Sequence, residues 1–129
     1  MHRSRLAGFI IDSNTDDLES TAAFWSKALG YAAGEPEDGK YIKLETPDGE
    51  PYIEVQKVGH PSRVHLDIES DDVQAEVRRL EALGAKRIEA VRSWVVMEAP
   101  DGQRFCVIRQ GHKYFDETAS RWGDEGEQQ

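Results

Sequence analysis

The chain has 129 residues and a formal net charge of −9, with 38% hydrophobic and 32% charged side chains. That is the length of one ordinary domain with its own core, and it is too acidic to neutralise a phosphate backbone, so nucleic acid is not an expected partner. No run approaches the ~20 apolar residues of a membrane span, and a single cysteine, Cys106, allows no internal disulfide, which fits a reducing cytoplasm.

The N-terminus Met1-His2-Arg3-Ser4-Arg5 is basic, but no apolar run of signal length follows it. Residues 6–12, with Phe9, Ile10 and Ile11 in succession, read as a short, largely buried strand. Asp16 with Glu19 three later has the form of a capping box. Leu18, Ala22, Trp25 and Leu29 then recur at helical spacing, widened by Phe24 and Ala28, and Trp25 and Phe24 are expected as helix core. Gly30 ends that helix. Residues 31–34 form a short strand, and Glu35-Pro36-Glu37-Asp38-Gly39 a turn. Residues 41–45 alternate, with Ile42 and Leu44 on one side. Thr46-Pro47-Asp48-Gly49 is a turn, in which proline presets φ and glycine accepts φ > 0. Residues 52–58 alternate again, with Ile53 and Val55 on one face and Tyr52, Glu54 and Gln56 on the other. Gly59-His60-Pro61-Ser62 links two halves.

The second half repeats this order. Arg63-Val64-His65-Leu66-Asp67-Ile68 is an alternating strand, with Val64, Leu66 and Ile68 on its apolar face. A helix over about 72–83 ends at Gly84. Strands follow at 86–91 and 93–98, then the turn Ala99-Pro100-Asp101-Gly102 and a last strand at 104–109. Ala28-Leu29-Gly30 matches Ala82-Leu83-Gly84 at an offset of 54, and Pro47-Asp48-Gly49 matches Pro100-Asp101-Gly102 at an offset of 53. Two matched helix ends and two matched turns in the same order imply two βαβββ units. The units run over about 6–58 and 63–110 within one domain, followed by a tail at 111–129. In the tail, residues 112–122 suit a short helix anchored by Tyr114, Phe115 and Trp122, placed to cover a sheet edge or a partner. Residues 123–129 are polar and acidic and are expected to be disordered.

Four segments carry a family resemblance: Ala23-Phe24-Trp25-Ser26-Lys27-Ala28-Leu29-Gly30, Arg63-Val64-His65-Leu66-Asp67-Ile68, Leu80-Glu81-Ala82-Leu83-Gly84-Ala85, and Ala99-Pro100-Asp101-Gly102-Gln103-Arg104-Phe105-Cys106. In this order the chain resembles the vicinal oxygen chelate superfamily, which includes glyoxalase I, bleomycin-resistance proteins and extradiol dioxygenases. It is most similar in kind to the small bacterial glyoxalase-like proteins. The resemblance implies an α+β fold in which the strands form an open, curved, barrel-like mixed sheet, with a ligand on the concave face and helices on the convex one. It also implies a homodimer, as small members of the superfamily commonly pair.

In metal-dependent members, ligands come from the first and last strand of each unit. Carried over by position, these are Gly8, Glu54, His65 and Cys106. Gly8 has no donor, and this superfamily mostly places a carboxylate where Cys106 stands. The remaining pair, Glu54 and His65, falls short of the three protein ligands usual for catalytic zinc. No cofactor is therefore expected, and a divalent metal held by Glu54 and His65 stays as the alternative.

Period-two alternation sends Ile53, Val55, Val64, Leu66, Phe105 and Val107 toward the helices. It leaves Tyr52, Glu54, Gln56, His65, Asp67 and Cys106 to line a ligand site. His65 titrates near neutrality and is, with Glu54, the candidate general acid or base. Glu54 would also hold a cationic ligand, or serve as a surface carboxylate paired with Arg63. Cys106, between Phe105 and Val107, has the setting of a small buried hydrophobe, and Trp94 either fills core or stacks on a ligand. The expected function is binding of a small organic molecule, of resistance or sequestration type. The alternatives are a metal-dependent lyase, isomerase or dioxygenase, and a scaffold module without a small ligand.

Overall fold

The computed structural model describes residues 1–123. In chain order its elements are β1 (His2–Ser13), α1 (Leu18–Leu29), β2 (Ala33–Glu37), β3 (Tyr41–Leu44), β4 (Tyr52–Lys57), β5 (Arg63–Ser70), α2 (Val73–Ala82), β6 (Lys86–Val91), β7 (Trp94–Glu98), β8 (Arg104–Arg109), α3 (Phe115–Thr118) and β9 (Ser120–Trp122). The class is α+β, and the βαβββ order occurs twice. Most of the segment expected to be disordered, residues 124–129, lies outside the described residues.

Two compact units divide the chain, one over Gly8–His65 and the other combining Met1–Ala7 with the chain from Leu66 onward. The division passes through β1 and β5. In the first unit the strand order is β2-β3-β4-β1. The outer pairs are antiparallel, and β1 lies parallel to β4, with Gly8 opposite Tyr52 and Asp12 opposite Gln56. In the second unit the order is β5-β8-β7-β6, with β5 parallel to β8. Neither array closes on itself, so the mixed sheet is open.

Local chemistry explains the element ends. Asp17 is the N-cap of α1, its carboxylate accepting the Ser20 N–H at 3.0 Å. Asp16 was the expected cap. Both aspartates offer the right side chain, and the cap falls to the one whose carbonyl receives the Thr21 N–H, at 3.1 Å. Gly30 closes the helix at φ 82°. The segment expected as a turn at 35–39 is displaced: β2 runs to Glu37, and Asp38, Gly39 and Lys40 turn, the first two at φ 54° and 64°. Glu37 pairs with Tyr41 across this three-residue loop, and the Lys40 N–H donates to the Glu37 carbonyl at 2.9 Å.

Each unit has its own core. In the first, Leu18 and Ala22 of α1 pack with Ile42, Leu44 and Val55, and Trp25 and Ile53 sit against that cluster. Phe24 does not join it. It is 61% exposed and touches Trp25 edge-on, one residue off the buried stripe. In the second unit, Val77 and Leu80 of α2 pack with Val95, Met97, Phe105 and Val107.

Strand β5 reverses its expected amphipathicity. Val64 is 56% and Leu66 39% exposed, whereas Asp67 and Glu69 are buried. Of the expected inward residues on β5, only Ile68 packs against the α2 cluster. The polar face is the covered one because specific partners satisfy it. Glu69 Oε1 accepts the Gly111 N–H at 2.7 Å and the His112 N–H at 3.1 Å, and Arg5 Nε lies 3.4 Å from Oε2.

The tail is tied down by the same chemistry. Only Phe115–Thr118 is helical, and Ser120–Trp122 forms a strand paired antiparallel to the start of β1. Phe115 is buried, and the Arg3 guanidinium lies 5.2 Å from its ring. Trp122 Nε1 donates to Ser4 Oγ at 2.8 Å, and its ring supports Arg79 at 3.7 Å. The sheet-edge role expected of the tail aromatics therefore falls to Trp122, through β9.

Candidate functional site

The polar face of the first unit is built by alternation on β4. Val55 is fully buried beneath α1 and Ile53 packs on the same side, so Tyr52, Glu54 and Gln56 take the other face, all half-buried. Strand β3 places Lys43 opposite Glu54 and Tyr41 opposite Gln56. Lys43 Nζ stands 5.8 Å from the Tyr52 ring centre.

Gly8 is explained by the ring beside it. A Cβ at Gly8 would lie 2.4 and 2.5 Å from two Tyr52 ring carbons and 2.6 Å from the Tyr52 carbonyl oxygen. The first-strand position where metal-dependent relatives would carry a ligand therefore has neither a donor nor room for one.

The most distinctive pair in this unit is Asp12 with His65. Asp12 is only 3% exposed, and its Oδ2 lies 2.7 Å from His65 Nδ1. Arg63 Nε is 3.9 Å from the same oxygen. Oδ1 of Asp12 is buried and has no hydrogen-bond partner among the described residues. An ionised carboxylate only accepts, so Nδ1 is the donor of this bond. His65 was expected at the site; Asp12 was not. Its signal was present in the sequence, because a carboxylate directly after Phe9-Ile10-Ile11 on a buried strand needs a dedicated partner.

In the second unit, Asp67 and Cys106 are register partners on β5 and β8. Their ligand atoms lie within 4.8 Å of each other. Asp67 is buried and Cys106 is a half-buried free thiol. The six residues expected at the site thus fall into named groups: Tyr52, Glu54 and Gln56 share one face, His65 pairs with Asp12, and Asp67 pairs with Cys106. Asp67 and Cys106 suit a borderline-soft divalent ion such as zinc. His65 stands two residues before Asp67 on the same strand.

Two further buried groups in the second unit have structural partners. Glu76 of α2 is fully buried, with His2 Nε2 at 2.7 Å and the Arg79 Nε and Nη2 donors at 2.9 and 2.7 Å. Burial works to raise its pKa, but bonds from Arg79, His2 and Ser4 outweigh this and hold it below the ordinary range. Asp71 behaves alike. Burial raises its pKa, and the Arg3 N–H and guanidinium bonds more than reverse the effect. Arg3 is correspondingly raised, first by its bond to Asp71.

Paired βαβββ units, each with a helix on one sheet face and polar side chains on the other, define a protein of the glyoxalase and bleomycin-resistance fold. Residues 8–108 match the family described as a glyoxalase-like domain, and the chain belongs to that family. Its fold is similar to that of a hypothetical protein from Bacillus halodurans C-125, with a TM-score of 0.63 at 13% identity, covering 85% of this chain and 96% of that one. It is also similar to a glyoxalase/bleomycin resistance protein/dioxygenase superfamily member from Vibrio splendidus 12B01, with a TM-score of 0.50 at 16% identity, covering 81% and 98%. No curated protein matches the chain in sequence. Among the described residues no helix is long and apolar enough to cross a membrane.

Proposed function

We propose that this chain binds a small organic molecule on the polar face of its first unit, with Tyr52, Glu54 and Gln56 lining the site and the Asp12–His65 pair as its polar anchor. The observation that carries this reading is Asp12, a carboxylate 3% exposed whose one oxygen orients His65 and whose other has no partner among the described residues. Burying a carboxylate costs several kcal/mol unless it is well paired, and a fold that needed only stability would be served by an apolar residue there. Asp12 fixes the imidazole so that Nε2 can accept a proton or a hydrogen bond from a bound molecule. Glu54 adds negative charge, which favours a ligand with a cationic group. Resistance by sequestration is the biological form that fits.

The proposal extends to setting and assembly. The lone cysteine suits the cytoplasm, and the net charge of −9 disfavours nucleic acid and anionic membrane surfaces. A homodimer would cover the outward apolar side chains Val64 and Leu66 of β5.

A thermal-shift screen of small organic cations tests the binding reading, since a ligand at 100 times its Kd adds about 2.7 kcal/mol. A hit should lose affinity in both His65→Ala and Glu54→Gln. Hits unaffected by either substitution would remove the site from this face. A second reading, a metal-dependent lyase, isomerase or dioxygenase, is favoured by the proximity of Asp67 and Cys106, joined by His65 upstream on the same strand. Elemental analysis after purification without chelators separates the two. Stoichiometric zinc, iron, nickel or manganese that disappears in Cys106→Ala would replace the binding protein with a metalloenzyme.

A further inference from the structure

A separate cleft of about 580 Å³ opens in the second unit, between the start of α2 and the β6–β7 hairpin. Arg92, Ser93 and Trp94 line one side, Gln74 another, and Arg109 with Gln110 a third. We propose that this cleft is an anion site, taking the phosphate or carboxylate group of a small molecule between Arg92 and Arg109.

Strand geometry brings the two arginines there. Phe105 and Val107 face α2, and alternation carries Arg109 to the same side, opposite Ser70, at the end of β8. Register pairs Val91 with Trp94, so Arg92 and Ser93 form a two-residue hairpin loop. Both guanidinium groups sit on exposed residues, and neither has an ion pair among the described residues. In a chain of net charge −9, two such arginines on one cleft have ample carboxylates to pair with elsewhere and do not.

The two acidic residues of the cleft do not cancel them. The Asp71 carboxylate takes the Arg3 N–H at 2.8 Å and the Arg3 Nε donor at 2.9 Å. Asp72 is committed to the Ala75 N–H at 3.0 Å, so the helix end is already capped and contributes little to an anion.

Arg92 adds an independent sign. Its φ is 53°, in the left-handed region where a hairpin loop favours glycine, asparagine or aspartate. A long cationic side chain is kept at a position where glycine would be less strained. Strain retained at one residue is a pointer to function, and here the strained residue supplies half of the proposed clamp.

The test is titration of the full chain with inorganic phosphate and, separately, malonate, against chloride at matched ionic strength. The readouts are thermal shift and tryptophan fluorescence, with Trp94 as the local reporter. Saturable binding of phosphate, malonate or both is expected, and which of them binds identifies the group recognised. Arg109→Ala should weaken binding by about tenfold or more, the scale of one charge-assisted hydrogen bond. Arg92→Gly should weaken it equally while leaving the fold at least as stable, because glycine relieves the turn. That combination separates a lost ligand contact from a damaged fold. No saturable effect beyond chloride, or binding retained in both variants, overturns the proposal. Neither outcome touches the Asp12–His65 reading, which uses other residues.

Discussion

Replacing Glu76 with Gln isolates one buried charge. The side chain is fully buried and accepts from His2 and twice from Arg79 at 2.7–2.9 Å, with Ser4 a further partner. Glutamine keeps the volume but removes the charge, and its amide turns a donor toward a donor. Breaking a buried pair from one side costs 3–5 kcal/mol, and about 3 is expected here because Arg79 is partly exposed and keeps its Trp122 contact. For a chain of this size that is roughly a 10 °C fall in Tm. The pH dependence follows from the depressed pKa. A carboxylate held below its ordinary value binds protons more readily in the unfolded chain. Its stabilisation is therefore complete above the ordinary value of 4.5 and lost as pH falls below it toward the folded value. Circular-dichroism melts of both proteins at stepped pH should show a gap that is widest near neutrality and shrinks below pH 4.5. Asp71 is present in both and cancels. A variant as stable as the parent at pH 7, or a gap that stays constant into acid, would refute the reasoning.

Gly8→Ala drives a methyl into the Tyr52 ring and carbonyl. A loss of about 2–3 kcal/mol in denaturant unfolding is expected, and adding Tyr52→Ala should recover only part, since the backbone oxygen remains. Truncation after Gln110 removes the N–H groups that satisfy Glu69, the Thr118 hydroxyl that accepts from Arg5, and buried Phe115. Destabilisation by at least about 3 kcal/mol should follow in the same assay, and an unchanged midpoint would make the tail dispensable. The double substitution Val64→Thr and Leu66→Thr should cost a monomer little stability while weakening self-association in light scattering. A cost near that of a core substitution would show these side chains to be packed.

The periodic parts of the fold were legible in sequence, and the exceptions have physical causes. Strands β6 and β8 fall at the expected bounds, β8 because Phe105 and Val107 face α2 within the same unit, and β6, largely exposed, through its pairing with β7. Register and turns followed from Pro-Asp-Gly and Asp-Gly, whose glycines at 39, 49 and 102 all take positive φ. Phe24 misled because an aromatic residue beside a buried stripe looks like part of it. On β5, alternation located the two faces but not which one would be covered. That depended on Arg5 and the Gly111 and His112 N–H groups for Glu69, and on Asp12 for His65. Asp12 and His65 are 53 positions apart, and no local pattern links them. The β9 strand was equally hidden, since its three residues acquire strand form only by pairing with β1.

The acidic residues of the interior also narrow the functional question by elimination. Asp12, Asp67, Glu69 and Glu76 are all buried. Glu76 is enclosed by His2 and Arg79, and removing any partner would strand a charge in the core. Glu69 fastens the tail through two backbone N–H groups. Glu69 Oε2, like Asp12 Oδ1, accepts no hydrogen bond among the described residues, but Arg5 Nε stands 3.4 Å from it, so both Glu69 and Glu76 have a structural reason to exist. Asp12 holds an imidazole with one oxygen while the other has no partner among the described residues. Desolvating a carboxylate is costly enough that an incompletely satisfied one is poorly explained by stability alone. The chemistry of this chain is therefore best sought first at Asp12 with His65; Asp67 with Cys106 comes second, on the ground that their ligand atoms lie within 4.8 Å of each other.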